Sequence, residues 1–407
     1  MVSLFVLLGG YPAPNDVRAK MILETTAVPF TKSHRGGGES FPWYLSEQLG
    51  KLEPTILAYA QEPGTPSPPP NHLALPGCFL NVPPAMTTSN PLPTPETVRV
   101  ARAFIEAHVK ELDFIHVHNL RTAMTTMWLS LAHRGQRKSK IRILLTDHGS
   151  RWFPFPSLTA SWVDFLLPVS SASWDQLRAY TQKPARILPV GVPPDYPGLQ
   201  KPRKLYGERE VDVIFFGRLI AYKRIDLFLR LASDLSERWN RGLRAVLMGS
   251  LSDKRYWSYL QGEILRSGLD GRLRVILNPS TEEAARLLAN ARLNVLLSNQ
   301  ATVAGKRQVA SELAPITVLE AGSCGTPTLA SAFRGVEDVI RAGQTGLVVD
   351  SSHWDKVVES ATRILRHESE WDALSCGVEQ FVRSERTYDR IAGDLYRMLS
   401  NVRQAVT

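Results

Sequence analysis

Cysteine is scarce: Cys78, Cys324 and Cys376 are an odd, scattered set in 407 residues, with none of the paired spacings of a zinc site. A disulfide framework and a structural zinc are excluded on that ground, and a reducing cytoplasm is the expected setting. Long apolar runs are lacking too, since no window approaches the roughly 20 residues that cross a bilayer. The opening MVSLFVLLGGYP has no basic stretch ahead of its short apolar run, which stops at Gly9, so it reads as a buried parallel strand rather than a signal peptide. Nor is there an acidic surplus. Lys and Arg number 48 against 39 Asp and Glu, a formal charge of +9 that attracts an anionic partner. Both halves of the chain are mildly basic, which argues against a nucleic-acid-binding arm. The basic run HRGQRKSKIR (133–142) lacks an apolar face and reads as a solvated loop. Peripheral contact with anionic lipid at the inner face of a membrane is its less favoured alternative.

What the chain does have is an ordinary globular composition, 43% apolar and 21% charged, over a length that suits two domains of roughly 200 residues each. Strand-like runs recur in the first half at 3–8, 55–60, 114–118, 141–147, 163–170 and 185–191. In the second half they recur at 211–217, 244–250, 274–279, 293–298, 327–331 and 346–350. Helical periodicity separates most of them, as in DLFLRLASDLSERW (226–239) and TEEAARLLANA (281–291). Strand-helix alternation implies parallel sheets covered on both faces, hence an α/β protein of two doubly wound, Rossmann-like domains. Five prolines and three glycines in PVGVPPDYPGLQKPRKLYGE (189–208) mark the linker. The Pro-rich QEPGTPSPPPNHLALPG (61–77) reads as an exposed connector, with an acceptor-side lid as the alternative. TYDRIAGDLYRMLSNV (387–402) reads as an amphipathic helix that packs on the body of the protein.

Ligands of open α/β sheets bind beyond the carboxyl ends of the strands. There the strand VDVIFFG runs into Arg218 and, five residues on, Lys223, two cations able to converge on a diphosphate. Taken alone, the pair reads as well as a solvated basic loop. The stretch SELAPITVLEAGSCGTP (311–327) changes the balance. Pro315 suits a helix start, and the first turn of that helix, with Ile316 and Thr317, offers unpaired N–H groups to the same anion. Glu312 stands before the helix and Glu320 a little over a turn inside it. Carboxylates beside a diphosphate are tolerable if they accept hydrogen bonds from hydroxyls at its two ends, a ribose on one side and a sugar on the other. The alternative is a pair of solvent-facing glutamates.

FFGRLIAYKR, the spacing of Glu312 and Glu320, and LASAFRGVEDVIRAGQTGLVV resemble the C-terminal half of retaining glycosyltransferases of the GT-B fold, family 4. HRGGGESFPWYLSEQL, FIHVHN, LLTDHGS and ILPVGVPPD resemble that family's GG loop, H-x-H strand end, T-x-H-G segment and domain linker. The resemblance implies two domains facing across a cleft: 1–192 binding the acceptor, 193–385 binding the donor, and 386–407 returning to the first. It implies that Arg218 and Lys223 bind the donor diphosphate, that Glu320 binds the ribose and that Glu312 contacts the donor sugar. It further implies that Gly37 and Gly38 approach from the other domain and that His148 sits at the sugar's reacting side. His148 reads equally well as a capping or core histidine. His116 and His118 alternate along a strand, so at most one is expected to face the cleft. Asn278 is a candidate near the base. No metal ion and no cofactor is expected beyond the nucleoside diphosphate sugar itself, with a hydroxyl compound as the acceptor.

The sequence departs from the family where E-G-F-G becomes Glu312-Leu313-Ala314-Pro315, and a polar stretch, roughly 301–311, precedes it. Contacts to the donor sugar are the ones this change touches. Two other enzyme readings, a nucleotide-sugar epimerase and a sugar phosphorylase of similar form, want cleft acids and bases or a cofactor lysine that the sequence does not display. A non-catalytic nucleotide-sugar-binding subunit is the alternative from another class.

Overall fold

A computed structural model describes residues 21–25, 37–61, 72–76, 78–79, 91–119, 122–148, 161–239, 242–251, 253–300, 302–303, 306–307 and 312–404. The first sheet contains β1 (Met21–Thr25), β2 (Thr55–Gln61), β3 (His72–Pro76), β6 (Leu112–Asn119), β7 (Arg142–Asp147) and β8 (Phe165–Leu166), in the order β3-β2-β1-β6-β7-β8. The two-residue strands β4 (Cys78–Phe79) and β5 (Pro91–Leu92) pair with each other outside it. A second sheet repeats the plan with β9 (Val211–Phe216), β10 (Ala245–Gly249), β11 (Leu273–Leu277), β12 (Ala291–Leu296), β15 (Thr328–Ser331) and β16 (Gly346–Val349), ordered β11-β10-β9-β12-β15-β16. Every pairing within the two sheets is parallel. Each sheet reverses its strand order once, between β1 and β6 and between β9 and β12, and a crevice opens at such a switch point beyond the strand ends.

The strands form where apolar residues run almost unbroken, because helices cover both faces. Successive residues divide between two cores: Ile22 and Phe114 belong to one, Leu23 and Ile115 to the other. Helices α2 (Pro95–His108) and α3 (Thr122–Gln136) cover one face of the first sheet with Ile105, Met124 and Trp128. Helix α1 (Gly37–Leu49) covers the other with Phe41 and Leu45. Local signals set the ends: Thr94 closes a capping box with Thr97 at α2. Helix α4 (Ser171–Leu177) follows β8 at the end of the first half, and in the second half α5 (Ile225–Arg238), α6 (Lys254–Arg266), α7 (Thr281–Ala289) and α8 (Ile316–Ser323) precede α9 (Trp354–Arg366) and α10 (Glu368–Glu385).

The last helix, α11 (Tyr388–Gln404), returns to the first sheet's layer. Tyr388 stacks on Tyr44 at 5.4 Å and packs edge-on against Phe41, and Arg403 pairs with Asp113 and Glu53. Where it crosses over, the Val192 N–H donates to Arg386 and the Tyr388 N–H donates to Val192.

Several elements differ from expectation, and one falls outside the described residues. The run at 3–8 lies outside the described residues, and the described sheet begins with MILET at 21–25. Residues 72–76 of the Pro-rich stretch form edge strand β3, where Pro76 closes the strand at its last position. The run at 163–170 is cut to two residues, and 185–191 contributes one bridge, Leu166 to Ala185. The basic run begins inside α3, whose last turn holds His133 and Arg134. Among the described residues, no helix is long and apolar enough to cross a membrane.

Candidate active site

Both switch points gather polar side chains. At the second sheet, β9 ends at Phe216, and the chain passes through Gly217, Arg218 and a short turn of 3-10 helix, Ala221–Lys223, into α5. Arg224 takes a left-handed conformation (φ 50°) to make that junction, and its guanidinium binds Asp226 and, at 2.7 Å, Asn299. Asn299 in turn donates its N–H to the Tyr222 carbonyl at 3.1 Å, so the loops after β9 and β12 are tied together. Gly249, ending β10, allows the close approach beside them: a Cβ there would lie 1.8 Å from the Gly217 oxygen.

Lys223 and Glu312 are both buried, and they form an ion pair. The Ser298 hydroxyl donates to the Glu312 carboxylate at 2.8 Å, and Ser331 in turn donates to the Ser298 carbonyl. Arg218 is exposed and, among the described residues, reaches only the Tyr222 hydroxyl, at 3.2 Å. The two cations therefore differ in this structure: Lys223 is paired with a buried carboxylate, whereas Arg218 is exposed just beyond the strand end. Glu312 departs from the solvent-facing alternative, being 6% exposed.

Helix α8 begins directly after Pro315, whose φ of −73° suits the turn into it. Ile316 and Thr317 form its half-buried first turn, and the Thr317 hydroxyl is buried without a partner among the described residues. Glu320 is half-buried one turn on. Asn278 follows β11 in a left-handed conformation (φ 53°), and its side-chain oxygen accepts from the Leu251 N–H at 3.1 Å. It shapes the loop. The polar insertion before Glu312 contributes a short hairpin, β13 (Thr302–Val303) with β14 (Lys306–Arg307).

Sequence reasoning missed the centre of the first sheet's switch point. Glu24 on β1 stands opposite His116 on β6, and both are fully buried. Its carboxylate accepts from His116 Nδ1 at 3.0 Å and from His118 Nε2 at 2.7 Å. His116 Nε2 meets the Thr146 hydroxyl at 2.7 Å, and His118 Nδ1 meets His148 Nε2 at 3.1 Å. The expectation that at most one of His116 and His118 faces the cleft side is corrected: residues two apart in a strand share a face, and both rings lie on the Glu24 side. The legible signal was a glutamate directly after the apolar MIL of MILET beside a strand carrying H-x-H.

Burial pushes the Glu24 carboxyl up, but the two imidazoles more than offset it and hold it down at about 2. Burial lowers His118 to about 4, against the pull of Glu24. His148 is held well below the usual imidazole range by burial first and then by its histidine neighbours. Phe41 closes over it, with ring centroids 5.0 Å apart. Gly37 and Gly38 lie in the first turn of α1, so they present helix N–H groups rather than a loop of their own. Glu24, His116 and His118 bring ligand atoms within 4.8 Å of one another, a set that a divalent ion accepts by composition. Each imidazole nitrogen already has a hydrogen-bond partner, which accounts for the arrangement without one.

The two halves meet at α4. The Ser171 N–H and hydroxyl both donate to Asp338, at 2.8 and 2.7 Å, and Arg334 pairs with Asp175. Gly335 stands there at φ 95°, where an added Cβ would lie 2.6 Å from the Leu313 carbonyl, one residue from Glu312.

Residues 200–380 match the family described as Glycosyl transferases group 1. A stretch of 77 residues, 18% of the chain, is 31% identical to sucrose synthase isoform 1 of Daucus carota and spans a tenth of that protein's length. Among solved structures, sucrose-phosphate synthase of Thermosynechococcus elongatus matches 94% of this chain and 100% of its own, with TM-score 0.66 and 17% identity. A glycosyltransferase of Rickettsia africae matches 94% and 98%, with TM-score 0.69 and 14% identity. Anabaena HepE in complex with UDP and glucose matches 93% and 99%, with TM-score 0.64 and 14% identity. At such identities the likeness establishes the fold, which is GT-B.

Proposed function

We propose that the protein is a retaining glycosyltransferase, of family 4 within the group its second half matches. It moves a sugar from a nucleoside diphosphate donor to a hydroxyl acceptor without a metal ion. The observation that carries this reading is the Lys223–Glu312 pair, buried with Ser298 at the switch point of the sheet and next to the start of α8. A buried ion pair is not in itself a site, since Asp212 and Arg292 form one at the opposite, amino ends of β9 and β12. What distinguishes Lys223–Glu312 is its place beyond the carboxyl ends, beside an exposed Arg218 and the Thr317 hydroxyl, which has no partner among the described residues.

In the proposed reaction the bond from C1 to the diphosphate lengthens toward an oxocarbenium-like state, and negative charge grows on the leaving oxygens. Arg218, Lys223 and the N–H groups of α8 stabilise that charge. Thr317 donates its hydroxyl proton to a phosphate oxygen, Glu320 accepts from the ribose and Glu312 accepts from a sugar hydroxyl. The acceptor oxygen enters on the face the diphosphate leaves, and its proton passes to the departing diphosphate, so the anomeric configuration is kept. His148 faces this event from the first domain, taken as 1–192, across from the donor domain 193–385, with 386–407 returning to the first. The setting proposed is the cytoplasm, with neither nucleic acid nor a resident cofactor involved; contact with the inner face of a membrane is left to the acceptor's chemistry.

The test is a thermal-shift screen of purified protein against UDP, GDP, ADP, CDP and dTDP with EDTA present. UDP is the first candidate, because HepE was solved with it. Ligand at about 100 times its Kd stabilises by roughly 2.7 kcal/mol. A shift with one nucleotide that disappears in Arg218→Ala supports the cradle. No shift with any of the five, in folded protein, overturns it. Binding without turnover of the matching nucleotide sugar favours the non-catalytic subunit.

A further inference from the structure

We infer that Glu24 is a positioning residue that fixes the tautomer of His148 through His118, so that His148 presents a bare Nδ1 to a hydroxyl in the crevice. An ionised carboxylate only accepts, so the His118 Nε2 that lies 2.7 Å from Glu24 carries a proton. A neutral imidazole carries one proton, so His118 Nδ1 is bare and accepts. Its partner, His148 Nε2 at 3.1 Å, must therefore donate. The one remaining nitrogen, His148 Nδ1, is left with a lone pair and has no hydrogen bond to any described residue. The same carboxylate also accepts a hydrogen bond from His116 Nδ1, and the Thr146 hydroxyl holds the far side of that ring, so the anchor itself cannot turn.

The consequence is selective. A bare nitrogen accepts from a hydroxyl and has nothing to donate to a phosphate oxygen, so His148 is set for the hydroxyl-bearing side of the crevice. Phe41, packed edge-on against His148 and tilted against His118 at 5.7 Å, holds both rings in this orientation. Glu24 touches no ligand in this scheme. It acts through two rings, which explains a fully buried carboxylate in a strand that would otherwise be filled with apolar residues.

That the hydroxyl belongs to a transferase substrate rests on the function proposed above; the tautomer does not, and the experiment separates them. The full chain labelled with 15N-histidine is read at neutral pH by long-range proton–nitrogen correlation, with the His148 signals identified by their loss in His148→Gln. His148 is expected as the Nε2–H tautomer in the wild type, with His118 the same. An Nδ1–H tautomer at His148 in the wild type overturns the inference without any variant at Glu24. In Glu24→Leu the His118 Nε2–H has no acceptor, so His118 turns to Nδ1–H and His148 follows to Nδ1–H. Folded Glu24→Leu with the His148 tautomer unchanged also overturns it. With an active donor in hand, kcat of Glu24→Leu should fall by about tenfold, the worth of one ordinary hydrogen bond, while nucleotide affinity on the other sheet stays as it was. Equal loss of both would mark Glu24 as merely structural. The expected tautomers without any transferase activity would leave the positioning role standing and remove the proposed reaction.

Discussion

Lys223 and Glu312 neutralise each other inside the second domain, 89 positions apart in the sequence, with the Ser298 hydroxyl completing the carboxylate's hydrogen bonding at 2.8 Å. The loop after β9 is thereby latched to the segment ahead of α8. Breaking such a pair from one side strands a buried charge, at a cost of about 3–5 kcal/mol. Lys223→Ala and Glu312→Ala should each lower the urea midpoint strongly, and Lys223→Met with Glu312→Leu should recover most of it while remaining inactive. If the double variant kept turnover, the pair would be scaffold alone.

Binding and turnover should separate at the two glutamates. Glu320→Ala is expected to weaken nucleotide affinity, because its place one turn inside α8 suits the ribose, whereas Glu312→Ala should mainly damage turnover. Calorimetric titration of nucleotide into both variants decides this: unchanged affinity in Glu320→Ala removes the ribose role. Adding EDTA should alter neither affinity nor rate, and a rate restored only by divalent ions would contradict the charge stabilisation assigned to Arg218, Lys223 and the helix.

How much of this was legible depended on how local each cause is. Strands of the second domain announce themselves because buried parallel strands need continuous apolar runs, and VDVIFF and AVLMG supply them. Arg218, Lys223, Glu312 and Glu320 could be placed because they sit at fixed offsets from a strand end or a helix start. What the sequence did not display was pairing across the sheet. Glu24 and His118 are 94 positions apart and meet only because β1 and β6 are neighbours in register. Likewise Lys223 and Glu312 looked like two ligand-facing groups, and their bond to each other needed the loops after β9 and β12 to be brought together by Arg224 and Asn299.

The buried histidines make stability depend on pH. Unfolded histidines take up protons near pH 6.5, whereas folded His118 resists until about 4, and His148 also lies well below its usual range. Between those values the unfolded state binds more protons, so stability falls as pH drops. His118 alone accounts for roughly 3 kcal/mol across that window, at about 1.4 kcal/mol per unit. Glu24 has the sign of a depressed carboxylate: its contribution is present above about pH 4.5 and is lost only toward pH 2. Urea midpoints measured from pH 7.5 to 5 should therefore decline, and His118→Asn should flatten the decline even if it lowers the starting value. A slope unchanged in that variant would show that His118 is not the group being titrated.

Gly335 offers a test of how the two halves communicate with the site. At φ 95° an alanine is strained, and its Cβ would press on the Leu313 carbonyl and on the Ala172 methyl of α4, contacts of 2.6 and 3.1 Å. Relief requires moving either Leu313, next to Glu312, or α4, which Ser171 ties to Asp338. Strain in the left-handed region amounts to about 1–3 kcal/mol, small enough for the protein to remain folded. Gly335→Ala should thus lose turnover out of proportion to stability. Because Arg218 and α8 lie outside the disturbed contacts, nucleotide affinity should fall far less than kcat. An affinity loss matching the loss of rate would place the disturbance in the phosphate cradle instead.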